Sequence, residues 1–210
     1  MKFTPVKTPK LLKRLLPNLI WHIPSEDNTL YLTFDDGPTP EITDWVLDLL
    51  KAYDAKATFF CIGNNVEKYP EIYHRILSEG HRVGNHTQHH IKGWKTSSKD
   101  YIKDIHLAEF HIDSNLFRPP YGQIKPKQAK RIHKLGYTTI MWTILSVDWD
   151  AEISNEQCAS NVIHHSQSGD IVVFHDSVKA SSNMQYALPK VLDHFKERGF
   201  VFKRIPESIQ

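Results

Sequence analysis

Apolar and polar positions along the chain follow two patterns, one typical of buried strands and one typical of helices. Short apolar runs rich in β-branched and aromatic residues predict strands over residues 29–34, 57–62, 81–84, 137–142, 170–174 and 200–203. Apolar residues at helical spacing predict helices over 42–50, 101–112, 155–165 and 186–195. Strands that alternate with helices indicate an α/β fold with a parallel sheet covered by helices. Periodicity alone leaves open whether that sheet is doubly wound or closes into a barrel.

Length and composition narrow the classes of function. The chain has 210 residues, of which 40% are hydrophobic and 24% are charged, as expected of one globular domain. A net charge of +2 without a tight Lys/Arg block gives no support to nucleic-acid binding. The two cysteines are too few for a disulfide framework, and Cys61 lies in an apolar run where a buried thiol is expected. The thirteen histidines point to metal binding or proton transfer.

The first 25 residues differ from the rest of the chain. Basic side chains precede an apolar stretch over 15–21 that Pro17 and Asn18 interrupt. The stretch is too short for a transmembrane segment, and no small-residue cleavage site of a signal peptide follows it. We therefore expect residues 1–25 to form an N-terminal extension that packs on a domain of residues 26–210 or rests on a membrane surface. The default expectations are a cytoplasmic location and a monomer.

Ionisable side chains follow the apolar runs. The residues concerned are Asp35 and Asp36, the stretch 85–90, Arg118, the stretch 148–150, and His175 with Asp176. Because the carboxyl ends of parallel strands open on one face, we expect these side chains to share one site.

His86 and His90 are four residues apart, so on one helical turn both imidazoles would face the same side. A carboxylate from a neighbouring strand end would complete a site of two histidines and one carboxylate. Three protein ligands leave a coordination position open, which is the catalytic pattern for zinc.

The neighbouring aspartates then have separate tasks. One would bind the metal, and the other would take a proton from a water molecule. Arg118 would pair with the base and keep it ionised. His175 is the candidate general acid, with Asp148 or Asp176 to hold its ring.

Five ordered motifs carry a resemblance to a known family. They are TFDDG at 33–37, HTQHH at 86–90, RPPYG at 118–122, VDWD at 147–150 and IVVFHD at 171–176. With them the chain resembles the polysaccharide deacetylases of carbohydrate esterase family 4, the NodB homology domain. The resemblance implies a distorted (β/α) barrel with about seven parallel strands, and it makes 26–210 the catalytic domain. It further implies a divalent metal, usually Zn²⁺ although Co²⁺ also serves, and an N-acetylated glycan or oligosaccharide as substrate.

The resemblance also implies a role for each matching residue. Asp35 would be the catalytic base paired with Arg118, and His175 the general acid. Asp36, His86 and His90 would hold the metal. The Tyr121 backbone N–H would face the oxyanion, Trp149 and Val173 would wall the acetyl pocket, and Asp148 would tune His175. The compressed fourth motif leaves Asp148 and Asp150 as alternatives for that last role.

Two other functions compete with deacetylation. A cyclic-amide hydrolase on the same barrel would often have an altered ligand set, whereas this set is intact. A catalytically inactive carbohydrate-binding domain would lack at least one catalytic group, and none is missing.

Overall fold

Eight parallel strands build the sheet of the protein, as seen in a computed structural model that describes residues 5–209. They are β1 (Thr29–Asp35), β2 (Thr58–Cys61), β3 (Arg82–Asn85), β4 (Leu116–Phe117), β5 (Thr138–Thr139), β6 (Ile144–Leu145), β7 (Ile171–His175) and β8 (Val201–Phe202). Seven of them pair in the order β5-β4-β3-β2-β1-β7-β6, and β8 pairs with the first residues of β1. The sheet curls into a half-barrel with helices around it. The predicted distorted (β/α) barrel is therefore confirmed.

Helices connect most of the strands. They are α1 (Lys10–Leu15), α2 (Ile42–Ala52), α3 (Gly63–Lys68), α4 (Pro70–Ser78), α5 (Ser98–Glu109), α6 (Pro126–Lys134), α7 (Asn155–Ile163) and α8 (Ser181–Lys196). Single 3₁₀ turns lie at Gly93–Lys95 and Pro120–Gly122. Within residues 5–209, none of the helices has the length and apolar character needed to span a membrane.

Side chains of β1 alternate between two environments, which explains why one strand serves both the core and the site. Leu30, Leu32 and Phe34 pack in the large cluster that includes helix residues such as Val46 and Leu188. Tyr31 belongs to a second cluster, inside the curled sheet, with Phe60 of β2. Since side chains two residues apart share a face, Thr33 and Asp35 also point into the barrel.

The predicted strand 137–142 is wrong in its length, because only Thr138–Thr139 form a strand. Beyond that point the carbonyls of Ile140 and Met141 accept hydrogen bonds from the Arg118 side chain, at 3.2 and 2.9 Å. The buried Arg118 guanidinium thus occupies backbone carbonyls that could otherwise accept hydrogen bonds from a neighbouring strand.

The two edge strands of the sheet, β5 and β6, are bridged by the chain that precedes β1. We call residues 6–22 the N-terminal segment. On the β6 side, the Leu145 N–H donates to the Val6 carbonyl, and the Thr8 N–H donates to the Thr143 carbonyl. On the β5 side, the Ile20 N–H donates to the Thr139 carbonyl, and the Met141 N–H donates to the Ile20 carbonyl. These backbone bonds, 2.7–2.9 Å long, join the segment to both edges. The boundary between an extension of 1–25 and a catalytic domain of 26–210 stays a prediction.

Both cysteines are free and buried, so the expectation of an unpaired thiol at Cys61 is confirmed.

Candidate active site

Five of the predicted site residues gather at the carboxyl ends of the strands. Asp35 is the last residue of β1, and Asp36 follows it. His86 follows β3 and Arg118 follows β4, while His175 ends β7. The parallel arrangement thus brings residues from distant parts of the sequence to one face, as the strand-end pattern predicted.

Asp36, His86 and His90 form a cluster able to hold a metal ion. One ligand atom from each residue lies within 4.8 Å of the other two. Oδ1 of Asp36 is 3.1 Å from Nε2 of His90 and 3.6 Å from Nε2 of His86. The predicted ligand set is therefore brought together in space.

The stretch from His86 to His90 is not the helical turn that the spacing predicted. It is a loop in which Thr87 and His90 have positive φ angles of 66° and 53°. Asp104 of α5 shapes this loop, because its Oδ2 accepts the backbone N–H of Gln88 and of His89, each at 3.0 Å. The two imidazoles meet through this loop geometry, with their centroids 5.1 Å apart.

Two observations fit this cluster to a cation. Oδ1 of Asp36 is buried and lies close to ring nitrogens of His90 and His86 without a hydrogen bond of regular geometry, although buried carboxylate oxygens almost always have a partner. Nδ1 of His86 lies 2.7 Å from the carbonyl oxygen of Arg118, so it carries the proton and leaves the Nε2 lone pair facing Asp36. Burial raises the pKa of Asp36, but the imidazoles of His90, His175 and His86 outweigh burial and hold that pKa well below its usual range.

Asp35 makes different contacts from its neighbour. Nη1 of Arg118 donates to Oδ1 of Asp35 and to Oγ1 of Thr33, both at 2.7 Å. Arg118 is fully buried, and its guanidinium stacks 4.0 Å from the ring centroid of Phe60. Burial lowers the pKa of Arg118 despite Asp35, yet a guanidinium keeps its charge in proteins. A buried cation whose three nitrogens all donate hydrogen bonds therefore fixes the orientation of Asp35.

His175 is paired with Asp148. Its Nδ1 lies 2.8 Å from Oδ1 of Asp148, and its backbone N–H donates to Oδ2 of the same carboxylate at 2.7 Å. Burial alone would lower the pKa of His175, but the charge and hydrogen bond of Asp148 raise it to about 9. Of the alternatives that the sequence left open, Asp148 is the carboxylate in contact with the ring.

Asp176 anchors the turn after β1 instead. Its Oδ1 accepts the Gly37 N–H at 3.1 Å, and its Oδ2 accepts the Thr43 hydroxyl at 2.5 Å. A Cβ at position 37 would lie only 1.9 Å from this carboxylate, so the turn requires glycine there. This turn also fixes the positive φ of 80° at Asp36, which directs the Asp36 carboxylate toward His86 and His90.

Asp35, Asp36, His86, His90 and His175 line a cavity of about 860 Å³. The predicted pocket residues Tyr121, Trp149 and Val173 line it. The Tyr121 ring lies 4.6 Å from that of His90, and the Trp149 ring lies 4.8 Å from that of His175. The predicted roles of these residues, including that of the Tyr121 N–H, stay predictions.

Sequence reasoning missed part of this cavity. Leu12, Leu16 and Trp21 of the N-terminal segment line it, and so does Trp94. No local pattern reveals that the N-terminal segment reaches the site, because its partners lie more than half of the chain away. Trp94 comes shortly after the histidine motif in the sequence and is 62% exposed. Its position next to that motif is the one feature of the sequence that could have placed it at the cavity.

Comparison with known proteins gives the family. The sequence model described as polysaccharide deacetylase matches residues 22–140. A peptidoglycan-N-acetylglucosamine deacetylase of Bacillus cereus is 35% identical over 209 residues, covering 95% of this chain and 98% of that protein. The peptidoglycan-N-acetylmuramic acid deacetylase PdaA of Bacillus subtilis is 31% identical over 195 residues, covering 87% and 72%.

A solved structure is similar over nearly the whole chain. It is a peptidoglycan N-acetylglucosamine deacetylase in complex with 4-naphthalen-1-yl-N-oxidanyl-benzamide, with a TM-score of 0.85, 30% identity and 97% coverage of both chains. The family match spans more than half of the sequence, and the relatives align with almost all of it. The Asp–His–His cluster and the arginine-bound aspartate therefore lie in a member of the polysaccharide deacetylase family, carbohydrate esterase family 4.

Proposed function

We propose that this protein is a metal-dependent deacetylase that hydrolyses the acetamido group of an N-acetylglucosamine or N-acetylmuramic acid unit of peptidoglycan. The observation that carries the proposal is the unpartnered Oδ1 of Asp36, which faces two imidazole nitrogens beside the Arg118-bound Asp35. The similarity to peptidoglycan deacetylases supports the substrate class.

Asp36, His86 and His90 would hold the cation, and we propose Zn²⁺. Two imidazoles and one carboxylate suit zinc and leave a coordination position open. When bound, such a cation lowers the pKa of a coordinated water and polarises a carbonyl group. The carbonyl of Arg118, which accepts the Nδ1 proton of His86, would keep that ring in the tautomer that binds a metal.

Asp35 would act as the general base. The Arg118 guanidinium occupies Oδ1 of Asp35, so the other carboxylate oxygen is the atom that would accept the proton of the attacking water. An ionised carboxylate held in position by a buried arginine is suited to this transfer. Attack of the water on the acetamido carbonyl forms the new C–O bond and places negative charge on the carbonyl oxygen.

Three further residues would bind the acetyl group. The backbone N–H of Tyr121 would donate a hydrogen bond to the oxygen that becomes negative. Trp149 and Val173 belong to the same apolar cluster as Leu145 and Val147, and they would enclose the acetyl methyl group. A small apolar pocket of this kind discriminates by size.

His175 would be the general acid. In the metal-free protein, pairing with Asp148 raises its pKa to about 9; this pairing favours the protonated imidazole, which would donate a proton to the sugar nitrogen as the C–N bond breaks. The products are acetate and the free amine, and Asp148 orients the ring throughout. No acyl-enzyme is required.

Acetate release tests the proposal. Metal-stripped and zinc-reloaded protein would be incubated with N-acetylated chito-oligomers, peptidoglycan fragments and a set of ring amides, with the Asp36→Asn variant as control. We expect zinc-dependent acetate from at least one peptidoglycan-type substrate and none from the variant. Opening of a ring amide without any acetate would instead identify a cyclic-amide hydrolase. Sugar binding with no turnover at full zinc occupancy would identify an inactive carbohydrate-binding domain.

A further inference from the structure

The cavity at the active site extends well past the catalytic side chains. Besides the Asp and His residues already described, its lining comes mostly from apolar and aromatic side chains. One part of that lining, which we call the apolar wall, is formed by Pro9, Leu12, Leu16, Leu19, Trp21 and Ile124. Five of these six residues belong to the N-terminal segment.

Three polar groups near the apolar wall already have hydrogen-bond partners. The Thr8 hydroxyl donates to the carbonyl of Trp142 at 2.8 Å. The indole N–H of Trp21 donates to the carbonyl of Leu16 at 3.2 Å, and that of Trp94 donates to the carbonyl of Ile124 at 3.3 Å. A sugar ring placed here would lose the hydrogen bonds that its hydroxyls make with water and gain few in return. The chemistry of the wall therefore suits an apolar group rather than a second sugar.

Helix α1 also carries apolar residues on its outer side. Leu11 and Leu15 are each 68% exposed, and Lys10 and Arg14 are exposed beside them. Exposed leucines next to cations are typical of a surface that meets anionic lipid. The helix that supplies Leu12 to the cavity is thus itself suited to an amphiphilic environment.

We propose that the apolar wall is a binding subsite for an aliphatic chain attached to the N-acetylated sugar, so that the preferred substrate is a lipid-linked form of the glycan unit. This inference rests on the proposed function, which puts the acetamido group beside Asp36. The chain leaves the sugar and lies along Leu12, Leu16 and Trp21. Burial of its methylenes supplies affinity that the sugar alone lacks.

Calorimetric titration of the full chain with methyl and hexyl β-N-acetylglucosaminide tests the inference. Each buried methylene strengthens binding roughly four-fold, so two of them lower Kd roughly fifteen-fold. We expect Kd for the hexyl glycoside to be at least about ten-fold below that for the methyl glycoside. Leu12→Ser should remove most of this advantage and leave the methyl Kd within about two-fold.

Leu11→Ser is the matched control, because Leu11 lies on the same helix and does not line the cavity. It should leave both dissociation constants unchanged. Equal affinity for the two glycosides, no heat with the hexyl glycoside up to its solubility limit, or equal effects of the two variants would each overturn the inference. Both leucines are exposed, and equal thermal midpoints would establish that both variants fold.

Acetate release measured on the same samples separates this inference from the proposed function. Tighter hexyl binding without acetate would leave the subsite standing and reject the deacetylase. Acetate release from both glycosides, together with equal affinities for the two, would support the deacetylase and reject the subsite.

Discussion

Asp35 and Asp36 are adjacent in the chain, yet their carboxylates have no partner in common among the contacts described. The first is in β1, points into the barrel and binds Arg118. The second has a φ of 80°, a value that turns its side chain away from the strand and toward His86 and His90. A residue other than Gly, Asn or Asp rarely adopts this backbone conformation. The turn thus separates two like charges into two different environments.

Substitution of each aspartate should therefore have a different effect. Asp35→Asn is expected to reduce turnover by at least about a hundred-fold because it removes the proposed base, while zinc content should stay at one ion per chain. Asp36→Asn should lower zinc affinity because the proposed carboxylate ligand loses its charge. Zinc content is measured after gel filtration, and zinc affinity is measured by competition with a chelator. Loss of zinc from Asp35→Asn would contradict this division of roles.

The raised pKa of His175 links its proton to stability. The folded-state pKa of about 9 exceeds the ordinary value of 6.5, so folding takes up a proton between these values. The stabilisation is fully present below pH 6.5 and is lost as the pH rises through about 9. In metal-free protein, Asp148→Asn should lower the free energy of unfolding by about 1–3 kcal/mol at pH 6, and by less above pH 9.

An NMR titration of the imidazole provides the direct measurement. Asp148→Asn should bring the pKa of His175 back toward its ordinary value. Asp150→Asn is the control, since the Asp150 carboxylate has its contact with the Glu152 N–H instead. The same titration curve in wild type and Asp148→Asn would rule out Asp148 as the cause.

At the scale of elements, the loop 86–90 depends on α5. The Asp104 carboxylate accepts two N–H groups of the loop and also contacts Nδ1 of His89 at 2.7 Å. Partners behind metal ligands commonly change affinity ten- to a hundred-fold. Asp104→Ala should therefore weaken zinc binding by roughly ten-fold, as measured with a competing chelator.

His89→Ala removes only the exposed partner of Asp104 and serves as the control. It should leave zinc affinity nearly unchanged, because the two backbone N–H bonds remain. If the two variants weaken zinc binding equally, the backbone bonds are not what holds the loop.

The N-terminal segment should also matter to stability. Trp21 is only 7% exposed and packs with Leu19 and Met141. Trp21→Ala should lower the free energy of unfolding in urea by about 3–5 kcal/mol. Trp94→Ala, at an exposed tryptophan of the same cavity, should change it by about 0.5 kcal/mol or less. A loss below about 1 kcal/mol for Trp21→Ala would mean that the segment unfolds separately from the barrel.

Some elements could be predicted from sequence and others could not. Helix α2 has a strong apolar stripe and buries Val46, Leu47 and Leu50, so its pattern is visible. Helix α6 buries only Gln128 and Ile132 and is otherwise mostly polar and basic, so it has too few apolar positions for an apolar stripe to be recognised. A spacing of four between His86 and His90 fits a helical turn as well as a loop, and the contact that decides for the loop comes from Asp104 on another helix.

On the scale of the whole molecule, the alternation of strands and helices indicated a parallel sheet but not its closure. The strand-end pattern predicted the ionisable residues at the mouth, whereas the family resemblance supplied the barrel, the choice of Asp35 rather than Asp36 as base, and the roles of Tyr121, Trp149 and Val173. What local patterns could not supply is the way the sheet edges are satisfied. The interior arginine binds the carbonyls after β5, and the N-terminal segment pairs with the chain at both edges. Both contacts join residues far apart in sequence.

The pairing of the N-terminal segment has a consequence for the order of folding. Thr8 bonds to Thr143, and Ile20 to Thr139, across more than half of the chain. Contacts between such distant residues require closure of a long loop and form slowly. Pulse-labelled hydrogen exchange during refolding should therefore show the amides of Ile20 and Leu145 protected after those that pair β1 with β2. Simultaneous protection would speak for a concerted closure. In the expected order, a segment that is synthesised before both edge strands docks onto them last, and until then both edges of the sheet remain available to other chains.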